Sequence, residues 1–264
     1  MTNVERNDAG ETTSTGRYAT SGDLRFDVKP ELALDIRTTS GDLRISEGHT
    51  GVCEVHLTTQ APDPASRIAI VECHFDAASN ELIVDTKAGR ARVSDPLDSL
   101  KSTLARLLSG FGHDVDVEVV VPPGTGVKFR TASGDMDSHA NLRTLNMSSA
   151  SGDVSVDGVD GAADVKTASG NVHLGTVGGD LSVQSVSGDV VCAFDAAVDA
   201  RIHTVSGDVA LGVRTGLLLS VDASTVSGDL SSEIALDGDG DGAGDATLHL
   251  KVRTVSGDLR LRRV

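Results

Sequence analysis

Asp135, Asp153, Asp189 and Asp208 each follow a Ser-Gly pair at nearly constant spacing. Paired carboxylates are the apparatus of glycoside hydrolysis, one acting as acid and the other as base or nucleophile. That chemistry needs unlike surroundings that drive the two pKa values apart. A column of identical neighbours provides none, and the turns that carry these aspartates are too short to wall a cleft. The column reads as a repeated structural task, and the sequence predicts a chain that is not an enzyme.

Metal chemistry has one sharper candidate. Asp237, Asp239, Asp241 and Asp245 occupy positions 1, 3, 5 and 9 of a calcium-type loop with Gly242 at position 6, but Leu248 stands where the bidentate glutamate belongs. A hairpin tip is the plainer reading of this acidic, glycine-rich insertion, with weak calcium binding as its alternative. Cys53 and His56, like Cys73 and His74, are an odd number of residues apart and point to opposite faces of their strands, which argues against zinc. No cofactor is expected. The three cysteines, Cys53, Cys73 and Cys192, cannot complete a disulfide framework and fall on apolar strand faces, as buried free thiols do.

What positions these residues is a repeat. Ser-Gly-Asp begins at Ser21, Ser40, Ser133, Ser151, Ser187, Ser206, Ser227 and Ser256, with Ser169-Gly170-Asn171 as a variant. From Ser133 the starts lie 18, 18, 18, 19, 21 and 29 residues apart, the mark of a solenoid. Counting from each serine, apolar residues fall at -1, +3, +5, +8, +12 and +14, as in Ala168, Val172, Leu174, Val177, Leu181 and Val183. Residues two apart share a strand face, so each coil holds two short strands. The turn residues are Gly134, Asp135, Gly152, Asp153, Gly170, Asn171, Gly188, Asp189, Gly207, Asp208, Gly228, Asp229, Gly257 and Asp258. Glycine supplies the turn, and Asp or Asn bonds its own nearby backbone in an Asx turn. The predicted fold is an all-β, parallel β-solenoid of two-strand coils, 18–19 residues each, flattened into two sheets.

Other elements punctuate the repeat. Val52 to Thr59 alternates as a strand, Arg67 to Phe75 and Glu81 to Lys87 suit a hairpin about Ala77-Ala78-Ser79-Asn80, and His113 to Val121 is a strand stopped by Pro122-Pro123-Gly124. Between them Leu97, Leu100, Leu104, Leu107, Leu108 and Phe111 form an apolar stripe on a short amphipathic helix at about 96–109, which packs on the solenoid or docks a partner. At the other end Leu259 and Leu261 continue the inward pattern, while Arg260, Arg262 and Arg263 place charge on what reads as the exposed final strand, a cap for the array. Thr167, Thr204, Thr225 and Thr254 read as an outward hydroxyl column with Ser169, Ser206, Ser227 and Ser256. Three sections result: a polar tail over 1–17, a β-rich section over 18–130 continuous with the solenoid, and the repeat over 131–264.

Composition bounds the partners. Lys and Arg total 23 against 39 Asp and Glu, a net charge of -16, which sets nucleic acid and anionic membranes aside as general partners. Aromatic residues make up 2%, so the core must be thin and built from Val, Leu, Ile and Ala. Residues 1–17 lack the apolar run of a signal peptide, and no stretch has the length of a transmembrane segment, so a cytoplasmic protein, peripheral at most to the envelope, is expected.

The strand Val117-Glu118-Val119-Val120-Val121, its Pro122-Pro123-Gly124-Thr125-Gly126-Val127 turn, and the phrase Thr131-Ala132-Ser133-Gly134-Asp135-Met136 that opens the repeats carry a resemblance. From about Tyr18 to Val264 the chain resembles the bacterial β-strand-repeat family labelled "putative adhesin", a domain of otherwise unknown function. The resemblance implies a β-solenoid with an adhesive or envelope-associated role and transfers no catalytic residue. The expected function is a non-enzymatic binding or scaffold protein that presents a repetitive polar face to an unidentified protein or envelope component. The alternative is an intracellular structural protein that self-assembles as a homo-oligomer through its solenoid ends.

Overall fold

The computed structural model describes residues 14–17, 22–60, 68, 71–86, 115–234 and 247–264. They form two sheets of eleven strands sharing one apolar core. Each coil contributes one strand to the first sheet and one to the second. In spatial order the coils are β7 (Glu81–Asp85) with β8 (Asp116–Val121), β3 (Ala33–Arg37) with β4 (Leu43–Glu47), β9 (Gly126–Arg130) with β10 (Met136–Leu142), and β11 (Thr144–Ser151) with β12 (Val154–Val159). Then come β13 (Ala163–Ser169) with β14 (Val172–Val177), β15 (Leu181–Ser187) with β16 (Val190–Phe194), and β17 (Asp199–His203) with β18 (Val209–Val213). The stack ends with β21 (Thr247–Arg253) and β22 (Leu259–Arg263), and beyond them β19 (Leu218–Ser224) and β20 (Leu230–Ser232). The parallel two-sheet solenoid follows from the repeat as read.

Register comes from the inward residues. Val172 lies beside Val154 and Val190, and Leu174 beside Val156 and Cys192, so like stacks on like through the core. Phe129 and Phe194 head the fully buried side chains, and most of the remainder are Val, Leu and Ile, as the near absence of rings requires. Each strand inside the stack closes its hydrogen bonds on the coils on either side.

At both ends the stacking order departs from the chain order. β19 and β20 follow β17 and β18 in the chain, yet β21 and β22 lie between the two pairs. At the other end β3 and β4 are inserted between the pairs β7, β8 and β9, β10. The final strand is therefore internal and caps nothing, contrary to the reading of Leu259, Leu261 and the C-terminal arginines. The two competing coils differ in inward residues: Val252, Leu259 and Leu261 in one face Ala223, Leu230 and Ser232 in the other. Placing the more apolar coil inside, covered on both sides, recovers more transfer free energy than the sequential order would.

The N-terminal end is closed by antiparallel strands. β5 (Val52–Thr58) pairs with β8 and with β2 (Asp23–Asp27), while β6 (Glu72–Asp76) forms a hairpin with β7. The hairpin turn is the expected one: the Asp76 carboxylate accepts from the Ala78 N–H at 2.9 Å and the Ser79 hydroxyl at 2.8 Å, and these bonds hold its pKa below the ordinary value. β1 (Ser14–Arg17) adds to β6, so the last residues of the segment read as a polar tail join the sheet. Segment 96–109, with Leu97, Leu100, Leu104, Leu107 and Leu108, and Phe111 beyond it, lies outside the described residues. No helix among those described is long and apolar enough to cross a membrane, which says nothing of a β-barrel.

Candidate interaction surface

The Ser-Gly-Asp turns stack into a ladder. Along it the backbone N–H groups of Asp42, Asp135, Asp153, Asn171, Asp189, Asp208, Asp258 and Asp229 donate in turn to the Oδ1 of Asp116, Asp42, Asp135, Asp153, Asn171, Asp189, Asp208 and Asp258, at 2.7–3.0 Å. The bonds run between coils, so the Asx turn expected from the sequence is replaced by a clamp that fixes the coil-to-coil rise. Every rung repeats the same task, and among the described residues no group of three or more His, Cys, Asp or Glu is placed to hold a metal ion. The calcium-type loop of Asp237, Asp239, Asp241 and Asp245 lies outside the described residues.

Asn171 shows that an amide serves on this ladder. Asp153→Asn therefore keeps the bond to Asn171 and removes one charge from a like-charged column; its melting temperature is expected to equal or exceed that of the parent at low salt. Asp153→Ala loses the acceptor and is expected to cost about 1 kcal/mol. Paired thermal melts check both.

The serines of the hydroxyl column, Ser169, Ser206, Ser227 and Ser256, are exposed as expected, but its threonines lie on the other side of the strand. Thr167, Thr204 and Thr254 are buried at about 5% exposure, and each donates to the carbonyl of the serine two residues on, at 3.0–3.3 Å. Thr225, in the uncovered end coil, is half-buried. The residues at -1, read as core, face out instead: Val186, Val205, Val255 and Val226 are 54, 48, 48 and 83% exposed. Strand alternation decides this. Leu181 and Val183 point inward, so Ser185 must as well, and Val186 must face solvent. The serine bridges set Val186 beside Val205, Val205 beside Val255 and Val255 beside Val226, and exposed Ala168, Ala150 and Ala132 extend the row toward the N-terminal end. An apolar rail thus runs along the outer face of the first sheet, across the strands.

Beside it, two residues back in every coil, runs a second rail of Arg37, Arg130, Ser148, Lys166, Gln184, His203, Arg253 and Ser224, which contains no carboxylate. Near the valines it is joined by Arg201 and Lys251. Arg201 lies in register with Lys251 and His203 with Arg253, so the like charges of Arg201 and Lys251 face each other across the β17–β21 pair, an arrangement that costs stability in an isolated sheet. Arg201 is shared with Asp199 and Lys251 with Asp222, each at 3.5 Å, whereas His203 and Arg253 enter no ion pair among the described residues. A shallow groove of about 720 Å³ follows these rails from Lys166 to Val255, and a second of about 480 Å³, lined by Asn146, Asp164, Asp180 and Arg201 among others, meets it at Lys166 and Gln184. At the far end of the face Asp35 carries both Arg37, at 2.9 Å, and Arg130, at 3.8 Å; the first contact raises the Arg37 pKa further above its ordinary value.

A family model described as Toastrack DUF4097 matches residues 113–262, more than half of the chain. The chain belongs to the Toastrack DUF4097 family. The Toastrack match contains both rails from Arg130 to Val255 and leaves β1 to β7 outside it. Among solved structures the chain is similar to a "putative cell adhesion protein" from Clostridium sporogenes, at 10% identity and a TM-score of 0.40, covering 93% of this chain and 100% of that one. It is also similar to a "putative adhesin" from Bacteroides fragilis, at 14% identity and a TM-score of 0.36, covering 91% and 96%. At these scores the likenesses carry no argument. No curated protein matches.

The Toastrack core also explains the thiols. Cys53, Cys73 and Cys192 are free and buried, and desolvation raises each pKa from 9.0 to about 12. All three are expected to resist a thiol reagent in the native chain and to react in denaturant. The raised native pKa means that the stability from burying the neutral thiols is intact below pH 9.0 and falls as pH climbs from there to about 12, by about 1.4 kcal/mol per pH unit and thiol. Denaturant titrations across this range read the slope.

Proposed function

We propose that the chain is a non-enzymatic, adhesin-like binding module, associated with the envelope, that holds an extended anionic partner along the outer face of its first sheet. The observation that supports this reading most is the four-residue cluster of Arg201, Lys251, His203 and Arg253 beside the exposed valine rail, in a chain of net charge -16. A self-sufficient sheet gains nothing from opposed cations next to bare valines. A partner lying in the groove supplies carboxylates or phosphates to the cations and covers the valines at the same time, and the constant rise between coils suits a linear chain. The presented face is accordingly amphipathic, where the sequence alone suggested a polar one.

Fractionation of native cells tests the reading. The parent is expected in the membrane or wall fraction, and Arg201→Glu with Arg253→Glu is expected to shift it to the soluble pool without changing its melting curve. Equal partitioning of parent and variant would sink the proposal.

A further inference from the structure

We propose that two copies of this chain join through the end formed by β19 and β20, and only through that end, as a closed two-fold dimer. The inference is independent of the binding reading above.

Among the described residues β19 is the last strand of the first sheet and β20 the last of the second, and each is paired on one side only. Their outer sides carry rows of backbone donors and acceptors that no described strand meets. The core is open here as well. Leu230 lies in register with Leu259, which is 2% exposed, yet is itself 54% exposed; Leu219, Val221 and Ala223 are half-buried opposite fully buried Leu248, Leu250 and Val252. The chain's final strands cannot close this end, because β21 and β22 are spent inside the stack.

Edge strands are ordinarily guarded by charge, proline or a bulge. β19 carries a single charge, Asp222, already held by Lys251 at 3.5 Å, and β20 is Leu230-Ser231-Ser232. The opposite end is guarded: β2 bears Asp23, Arg25 and Asp27, with Asp23 on His56 and Arg25 on Glu54 at 2.8 Å. The two ends are unlike, so head-to-tail stacking into a fibre has no matched surfaces. What fits the open end is a pair of strand edges, one per sheet, at the sheet separation of this solenoid, and the same end of a second copy presents that pair. A two-fold axis across the end runs β19 antiparallel to its equivalent, satisfies both rows of backbone groups and covers Leu219, Val221 and Leu230. The interface uses itself up on forming, so assembly stops at two chains.

Sedimentation equilibrium of the full chain over a wide concentration range is the test, with Leu219→Lys and Leu230→Lys as separate variants. The parent is expected at twice the chain mass, dissociating on dilution, and each variant at the chain mass at least tenfold beyond the parent's midpoint. Hydrogen exchange on the parent alone guards against a variant that fails to fold: amides of β19 and β20 are expected to slow as concentration rises, while those of β2 do not. A parent that stays monomeric at every concentration, particles that grow past two chains, or folded variants that dimerise as the parent does would each overturn the proposal.

Discussion

Truncation after residue 246 is expected to unfold the C-terminal half of the stack, where a sequential solenoid would only become one coil shorter. In an ordinary repeat array the last unit contacts one neighbour, and its loss costs one interface. Here β21 and β22 contact β17 and β18 on one side and β19 and β20 on the other. The deletion removes fully buried Leu248, Leu250, Val252, Leu259 and Leu261 and leaves two parallel edges facing across a gap one coil wide. At about 1.5–3 kcal/mol for each side chain the loss is roughly 10 kcal/mol, as large as the whole stability of a typical domain. Circular dichroism melts and hydrogen exchange over Asp199–His203 and Leu218–Ser224 read the outcome. A truncated chain that melts with the parent's midpoint and cooperativity would contradict the interleaved order.

The second large effect comes from a single methyl group. Gly170 has φ +136°, and a Cβ there would collide with the carbonyl oxygen of Gly152 in the coil below. Both the conformation and the space exclude a side chain, and relief would require opening the turn stack and the bond from the Asn171 N–H to Asp153. Gly170→Ala is expected to cost about 3 kcal/mol, lowering the melting temperature by about 6–12 °C. Gly124→Ala is the control. Its φ of +77° is also left-handed, but nothing lies within 4 Å of the added carbon, so strain alone remains, at about 1 kcal/mol. Equal effects at the two positions would show that coil-to-coil contact at the turn is not what selects glycine.

Much of the fold was legible because it is local and repeated. The offsets +3, +5, +12 and +14 name residues that are buried in the coils starting at Ser133, Ser151 and Ser169, and the short repeat length leaves little but two strands and two turns. The stacking order at the ends was not legible. Spacing along the chain says how long a coil is and nothing of which coil it lies against, and the 29 residues between Ser227 and Ser256 read as an insertion when they also carry a return into the stack. The face is legible from strand parity and not from residue type. Val186 and Val205 are apolar, but the parity of Leu181, Val183 and Ser185 places Val186 outside. Thr167 is polar, which suggests a surface position, yet its hydroxyl is satisfied inside by the carbonyl of Ser169. The cationic cluster had no sequence signal at all. Arg201 and Lys251 are 50 residues apart and become neighbours only because β21 is inserted beside β17.

The proposed binding face depends on that inserted coil. Its most direct test places a photo-reactive residue singly at Gln184 or His203 on the outer face of the first sheet, and at Ser155 or His173 on that of the second, in otherwise unaltered native cells. Cross-links to one partner from Gln184 and His203, lost on adding Arg253→Glu and absent from Ser155 and His173, are the predicted result. Capture of the same partner from Ser155 and His173, or from neither face, would contradict it.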